Sequence, residues 1–306
     1  MTTFIIRRLL QLIPVLIGVT ILVFSLMHLT PGNPAMILAG ENAPDATVQA
    51  IEQRLGLNDP LPIQYFNFLA DAIRLDFGVS MRDNLPVADH VMPRFWVTLE
   101  LAIYSTIFSI FLGLIAGIVS AVRQYTISDI SIMIVALFGL SMPNFWLGLM
   151  LIQYFSINLG WFDPTGWGSP NQLVLPIITL GTAGAAIIAR MTRSSMLDVI
   201  QQDYIRTARA KGVRERYVVY KHALKNALIP VVTVIGLQFG ALLAGTVLTE
   251  TVFAINGMGR LLIDSIQARD FPVVQACVLI IAVIFVLVNL IVDISYRLLN
   301  KRIDLD

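Results

Sequence analysis

The chain has 306 residues, of which 57% are hydrophobic and 13% are charged, and its formal net charge is +1. Soluble domains carry about 25% charged residues, so the composition excludes a soluble globular protein and indicates an integral membrane protein. The single cysteine, Cys277, excludes an intrachain disulfide, and the three histidines have no metal-ligand spacing.

Long apolar runs predict six membrane-spanning helices. About 20 apolar residues cross a hydrocarbon core of about 30 Å, and continuous runs are typical of helices rather than of barrel strands. The first run follows Arg7 and Arg8 and is longer than the apolar core of a signal peptide, so we expect it to be retained. The predicted spans are 9–29, 97–122, 130–157, 172–190, 229–252 and 273–297.

The segment 30–94, between the first two spans, predicts a small helical insert outside the membrane. It opens with a chain reversal at Pro31 to Pro34, and apolar residues then recur at helical spacing. It carries eight acidic and four basic residues. Two roles fit: the insert shields the membrane bundle, or it helps to seat a protein that delivers a substrate.

Lysine and arginine are distributed unevenly among the segments that join the spans. With the N-terminus inside, 15 of them lie on the cytoplasmic side and 6 lie outside. Because cytoplasmic loops carry the excess of positive charge, both termini are predicted to be cytoplasmic. The chain then divides into residues 1–29, the insert 30–94 and a membrane core 95–306 with a cytoplasmic loop at 191–228.

A few polar residues fall inside the predicted spans. Pro143 is expected to kink the third span, and Asn144 follows it; Gln238 lies among glycines in the fifth span, and Glu250 lies near the outer end of that span. Asn144, Gln238 and Glu250 are candidates to line a pathway. Hydrogen bonding between helices, or a structural role for Glu250, is the alternative.

The cytoplasmic loop is strongly basic, with nine Lys or Arg and three Asp or Glu between Arg190 and Asn226. Leu197, Ile200, Tyr204 and Ala208 are spaced to share one helix face, and Gly212 fits a helix C-terminus. A second helix is predicted with Val213, Tyr217, Tyr220, Leu224 and Leu228 on one stripe. Such a loop docks a partner protein or lies on anionic lipid headgroups.

The residues of this loop resemble the coupling-helix loop of ABC importer permeases, most closely the dipeptide, oligopeptide and nickel branch. The generic Glu-Ala-Ala-x3-Gly signature is represented here by Arg206, Thr207 and Ala208 before Gly212. Further fragments in the same order extend the resemblance over the whole chain, to the permease type with a long insert after the first span. The coupling helix that the resemblance implies comprises Tyr204, Ile205, Arg206, Thr207, Ala208, Arg209, Ala210, Lys211 and Gly212.

The resemblance implies an all-α, six-helix fold of the type I ABC importer permease kind and a non-catalytic subunit. It implies a second related permease, two ATPase subunits, an extracytoplasmic binding protein and the lipid bilayer as partners, and no nucleic acid. No cofactor is expected in this chain: no GxxxxGK[ST] run occurs in it, and ATP and Mg²⁺ would belong to the ATPase. The expected location is a bacterial or archaeal cytoplasmic membrane.

Short peptides or glutathione are the substrates that the resemblance favours, and nickel complexes are the alternative within the branch. A secondary transporter would need ionisable residues at the membrane midplane and internal repeats, and neither is evident. A channel or a membrane scaffold stays open as a third class, although nothing resembles a selectivity filter.

Overall fold

The structure, a computed structural model, describes residues 2–29, 34–40 and 43–299. Within those ranges the regular structure is helical apart from an isolated antiparallel bridge between Val79 and Pro86. The predicted chain reversal at residues 31–33 and the C-terminal charges at 301 and 302 lie outside the described residues. In chain order the helices are α1 (Thr2–Leu29), α2 (Pro34–Ala39), α3 (Asp45–Arg54), α4 (Leu61–Ile73), α5 (Val87–Val122), α6 (Ile127–Ser141), α7 (Asn144–Leu151), α8 (Pro170–Ile200), α9 (Asp203–Ala210), α10 (Glu215–Tyr217), α11 (Leu224–Gly245), α12 (Val247–Val252), α13 (Met258–Gln267) and α14 (Phe271–Leu299).

The chain forms two compact units. The first comprises Met1–Val97 with Asn256–Val286, and the second comprises Thr98–Ile255 with Leu287–Asp306. Both α5 and α14 therefore begin in the first unit and continue in the second.

In the first unit the insert forms helices α2, α3 and α4, and α4 packs against α1. The hydroxyls of Thr20 and Tyr65 lie 2.9 Å apart, and a ring nitrogen of His28 lies 3.1 Å from the amide oxygen of Gln64. One buried hydrophobic cluster of this unit comprises Val87, Val91, Met258, Leu261, Val273, Ala276 and Cys277.

A buried carboxylate fixes the end of the insert within the same unit. Asp270 accepts hydrogen bonds from the Ser80 hydroxyl at 2.5 Å and from the Met81 backbone N–H at 3.0 Å. Since a buried carboxylate is stable only with such donors, this contact orders the loop that leads into α5.

In the second unit α8 packs against α6, α7 and α11 and is the most buried of the described candidate spans. Small residues of α8 such as Gly181 and Gly184 allow close packing against α5. Two glycines of α5 explain the close approach of α5 and α8. A Cβ on Gly113 would lie 2.7 Å from Ile188, and a Cβ on Gly117 would lie 2.5 Å from Thr192.

In the described part of the chain, five helices are long and apolar enough to cross a membrane, and a bent pair, Ile127–Ser141 with Asn144–Asn158, makes a sixth candidate. The expectation of one kinked span at 130–157 understates the break, because the two halves meet at 103°. Pro143 lacks an N–H and forces the preceding residue out of the helical region, and Met142 is extended (φ −78°, ψ 128°). The chain becomes helical again at Asn144, and this second half of the bent pair ends in a π-helical stretch, Ile152–Asn158.

Candidate functional site

The predicted coupling segment forms the short helix α9. Its Ile205 is fully buried in a cluster that includes Met196, Val218 and Ala223. At the other end Gly212 has φ +74°, its N–H donates to the Arg209 carbonyl at 2.9 Å, and the Val213 N–H donates to the Ala208 carbonyl at 3.2 Å. This pair of bonds is a Schellman motif, so the helix end predicted at Gly212 is confirmed.

The opposite face of α9 is exposed and basic. Arg206, Thr207, Ala210 and Lys211 all lie on the surface. An Arg206 nitrogen lies 3.6 Å from an Asp203 oxygen, and both side chains are largely exposed, so this ion pair contributes little. This face therefore presents the cations Arg206 and Lys211 beside Ala210, whose side chain is a single methyl group.

Two polar contacts hold α9 against its neighbours. Arg209 donates to both carboxylate oxygens of Glu215, at 3.1 and 2.7 Å, and Asn226 donates to the Tyr204 hydroxyl at 2.7 Å. The hydrogen bonds to the Glu215 carboxylate raise the pKa of the Arg209 guanidinium. Together with buried Ile205 they make α9 a fixed part of the second unit.

The predicted single helix face with Leu197, Ile200, Tyr204 and Ala208 is wrong, although all but Tyr204 pack against the buried cluster around Ile205. The chain turns at Gln201 and Gln202 between α8 and α9, so the four residues do not belong to one helix. Ile205 is buried, whereas Tyr204 is 43% exposed.

The predicted stripe of the following helix is wrong at its two tyrosines, although Val213 and Leu224 pack against the same cluster. Tyr217 and Tyr220 are 57% and 56% exposed, while Val218, Val219 and Ala223 are buried. Residues Val218–Ala223 are π-helical, and the wider π turn shifts the register that a 3.6-residue period assumes. The exposed tyrosines instead line an open groove of about 680 Å³ with Arg214, Arg216 and Lys221.

A buried ion pair holds the end of α8 that precedes α9. The sequence did not predict it. Asp129, at the start of α6, accepts from Arg193 Nε and Nη2, both at 2.7 Å, and it also accepts from the Ser120 hydroxyl and from the Tyr125 N–H at 2.9 Å. The side chains are 3% exposed for Asp129 and 24% for Arg193. The cluster joins the end of α5, the start of α6 and the last turns of α8.

Two of the three pathway candidates meet at one cavity. Asn144 and Gln238 line a space of about 160 Å³ together with Thr106 and Ser109. The remaining lining comes mainly from apolar and small residues of α8 and α11. The bend before α7 brings Asn144 to this cavity.

Glu250, the third candidate, is fully buried and does not line the cavity. Its carboxylate accepts from the hydroxyls of Thr98 at 2.7 Å and Thr246 at 2.9 Å. Through the bond from Thr98, Glu250 in α12 is connected to the part of α5 that belongs to the second unit. In the part of the chain that the structure describes, no cluster of three His, Cys, Asp or Glu could hold a metal ion.

Comparison with known proteins places this geometry in a family. Residues 109–305 match the family described as binding-protein-dependent transport system inner membrane component, and residues 1–102 match the N-terminal region of such membrane components. The chain belongs to this family.

Two relatives align with almost the whole of this chain. It is 47% identical over 303 residues to the glutathione transport system permease protein GsiC of Escherichia coli strain K12, across 99% of each chain. It is 47% identical over 332 residues to the dipeptide transport system permease protein DppB of Alkalihalophilus pseudofirmus, again across 99% of each chain.

Solved structures show the same fold. An inward-facing MetNI methionine ABC transporter chain matches with a TM-score of 0.58 at 21% identity, covering 69% of this chain and 96% of that one. A chain of an amino acid ABC transporter matches with a TM-score of 0.51 at 16% identity, covering 69% and 93%. The binding-protein-dependent transport component is therefore an all-α, multi-pass permease subunit of an ABC importer in the inner membrane.

Proposed function

We propose that this permease subunit forms one half of the translocation pathway of an ATP-driven importer of short peptides, dipeptides or glutathione. The observation that carries the proposal is its 47% identity, over 99% of each chain, with permeases named for glutathione and dipeptide transport. A second, related permease supplies the other half of the pathway.

The ATPase subunits dock on the exposed face of α9. That face offers Arg206 and Lys211 as cations beside the small Ala210, and the groove lined by Tyr217 and Tyr220 extends the basic surface. Because α9 is fixed by buried Ile205 and by the Arg209–Glu215 pair, a movement of the ATPase is passed on to the membrane helices as a rigid-body motion. ATP and Mg²⁺ are handled by the ATPase, and this chain needs no cofactor.

The orientation follows the positive-inside distribution. The α9 segment and both termini lie in the cytoplasm, and the insert with α2 to α4 lies outside, where a substrate-binding protein delivers its load. The Asp129–Arg193 pair supports this arrangement, because it requires the start of α6 and the end of α8 to share one side of the membrane.

Uptake by the assembled importer tests the proposal. The chain is co-expressed with the permease and ATPase subunits that co-purify with it, purified as a complex, and reconstituted into liposomes with the binding protein. We expect ATP-dependent accumulation of radiolabelled glutathione or of a labelled dipeptide, and none of a nickel complex. Uptake of nickel alone would contradict the substrate class, and uptake without ATP would contradict the importer mechanism.

A further inference from the structure

The cavity that holds Asn144 and Gln238 lies at the middle of four helices. Thr106 and Ser109 come from α5, Asn144 from α7 and Gln238 from α11, while α8 supplies apolar and small residues such as Leu180 and Gly184. Polar side chains at such a depth are tolerated where they face protein or a cavity.

The polar groups around this cavity differ in their burial. The Thr106 hydroxyl is buried without a hydrogen bond, whereas Asn144 and Gln238 are only partly buried. Ser109, by contrast, bonds to the carbonyls of Ser105 and Gly181, each at 2.8 Å. Since buried polar groups are normally paired, the Thr106 hydroxyl indicates a partner that comes from outside this chain.

The chemistry of the lining selects the kind of partner. No charged residue lines the cavity, so it offers a metal ion no carboxylate ligand and leaves the charged ends of a peptide to be bound elsewhere. A carboxamide carries both a donor and an acceptor, as a peptide group does, and a hydroxyl can act as either. The carboxamides and the hydroxyl that line the cavity can therefore pair with the backbone amides of a peptide, whatever side chains the peptide carries.

We propose that this cavity is half of a peptide-binding subsite, in which Thr106, Asn144 and Gln238 hydrogen-bond to the backbone amide groups of a peptide as it crosses the membrane. The inference rests on the proposed function and deepens it. The volume of about 160 Å³ is below the roughly 300 Å³ of a typical ligand site. The second permease supplies the remaining wall.

The test uses the assembled importer in liposomes, with labelled glutathione and labelled dialanine as probes. Two shape-preserving variants remove lining polarity: Thr106→Val and Gln238→Met. Thr233→Val is the matched control, because the Thr233 hydroxyl is also buried without a partner but does not line the cavity. Gln238→Asn keeps the carboxamide and should retain more uptake than Gln238→Met.

We expect Gln238→Met to lower peptide uptake about tenfold and Thr106→Val about threefold. ATP hydrolysis stimulated by the binding protein should stay within twofold of the wild type in all variants, and Thr233→Val should transport normally. Normal peptide uptake by both lining variants would overturn the subsite and leave the proposed function intact. A wild-type importer that carries a nickel complex and neither peptide would overturn both.

Discussion

At the scale of single residues, two ion pairs with the same geometry are expected to differ in strength. Arg193 and Arg209 each make two hydrogen bonds to one carboxylate. The partner of Arg193, Asp129, is 3% exposed, whereas the Arg209–Glu215 side chains are 40% and 57% exposed. Breaking a buried pair leaves an uncompensated charge, while an exposed pair is screened by water.

Arg193→Met should therefore destabilise the protein by about 3 kcal/mol. Arg209→Met, the matched control, should cost at most about 1 kcal/mol. Thermal unfolding of the detergent-purified chain measures both. Equal melting temperatures for the two variants would show that another group compensates the charge of Asp129, which would contradict this prediction.

Residues that act through local geometry were predictable, and those that act through distant contacts were not. Gly212 was placed correctly because a helix end depends on its own neighbours. Asp129 and Arg193 are separated by 64 positions, and no periodicity relates two charged residues in different helices. Asn144 and Gln238 were chosen as polar residues at membrane depth, and their meeting at one cavity depends on the bend before α7.

At the scale of elements, α9 has an inner face and an outer face, and substitutions on the two faces should act differently. Ala208 packs partly against the cluster around Ile205, so Ala208→Asp would abolish uptake but would also disturb the segment itself. Ala210 is exposed, and a bulky residue there meets only a partner.

We expect Ala210→Arg to reduce co-purification of the ATPase and ATP-driven uptake at least tenfold, while insertion of the chain and its melting temperature stay unchanged. Ala210→Ser, which adds only a hydroxyl at the same exposed position, serves as the matched control. Wild-type uptake by Ala210→Arg would remove α9 from the ATPase interface.

The approach of α5 to α8 gives a second prediction for an element. A methyl group on Gly117 would lie 2.5 Å from the Thr192 side chain and 2.6 Å from the Ala189 carbonyl oxygen, whereas one on Gly18 in α1 meets nothing within 4 Å. Overpacking of this kind costs about 1–3 kcal/mol. Gly117→Ala should lower the melting temperature and Gly18→Ala should not; a Gly117→Ala protein as stable as the wild type would contradict the close packing.

Periodicity predicted the existence of the elements better than the faces they bury. The two wrong stripes fail at a turn between α8 and α9 and at the π-helical stretch after α10. A pattern that assumes 3.6 residues per turn cannot detect either the turn or the π-helical stretch.

At the scale of the whole molecule, the Asp129–Arg193 pair predicts how the bent pair α6 and α7 is placed in the membrane. The stretch of α8 from Pro170 to Arg193 is about 35 Å long at 1.5 Å per residue, which crosses a hydrocarbon core of about 30 Å. Asp129 lies beside Arg193, so we expect Asp129 and Pro170 to lie on opposite sides of the membrane. The chain between them is then expected to cross it despite the 103° bend.

Cysteine labelling in right-side-out membrane vesicles checks this topology. Arg74→Cys and Asp163→Cys should react with a membrane-impermeant maleimide, and Lys211→Cys should react only after permeabilisation. The native Cys277 is buried, so the unmodified chain gives the background. Protection of Asp163→Cys in closed vesicles would make the bent pair a re-entrant loop.

The central claim is that this chain works as one permease of a multi-subunit, ATP-driven importer. The most direct measurement is a mild-detergent pull-down of the tagged chain from its native cells, with mass spectrometry of the proteins that co-purify. The account predicts a second related permease and Walker-containing ATPases in stoichiometric amounts. Reproducible recovery of this chain alone in several detergents would contradict it.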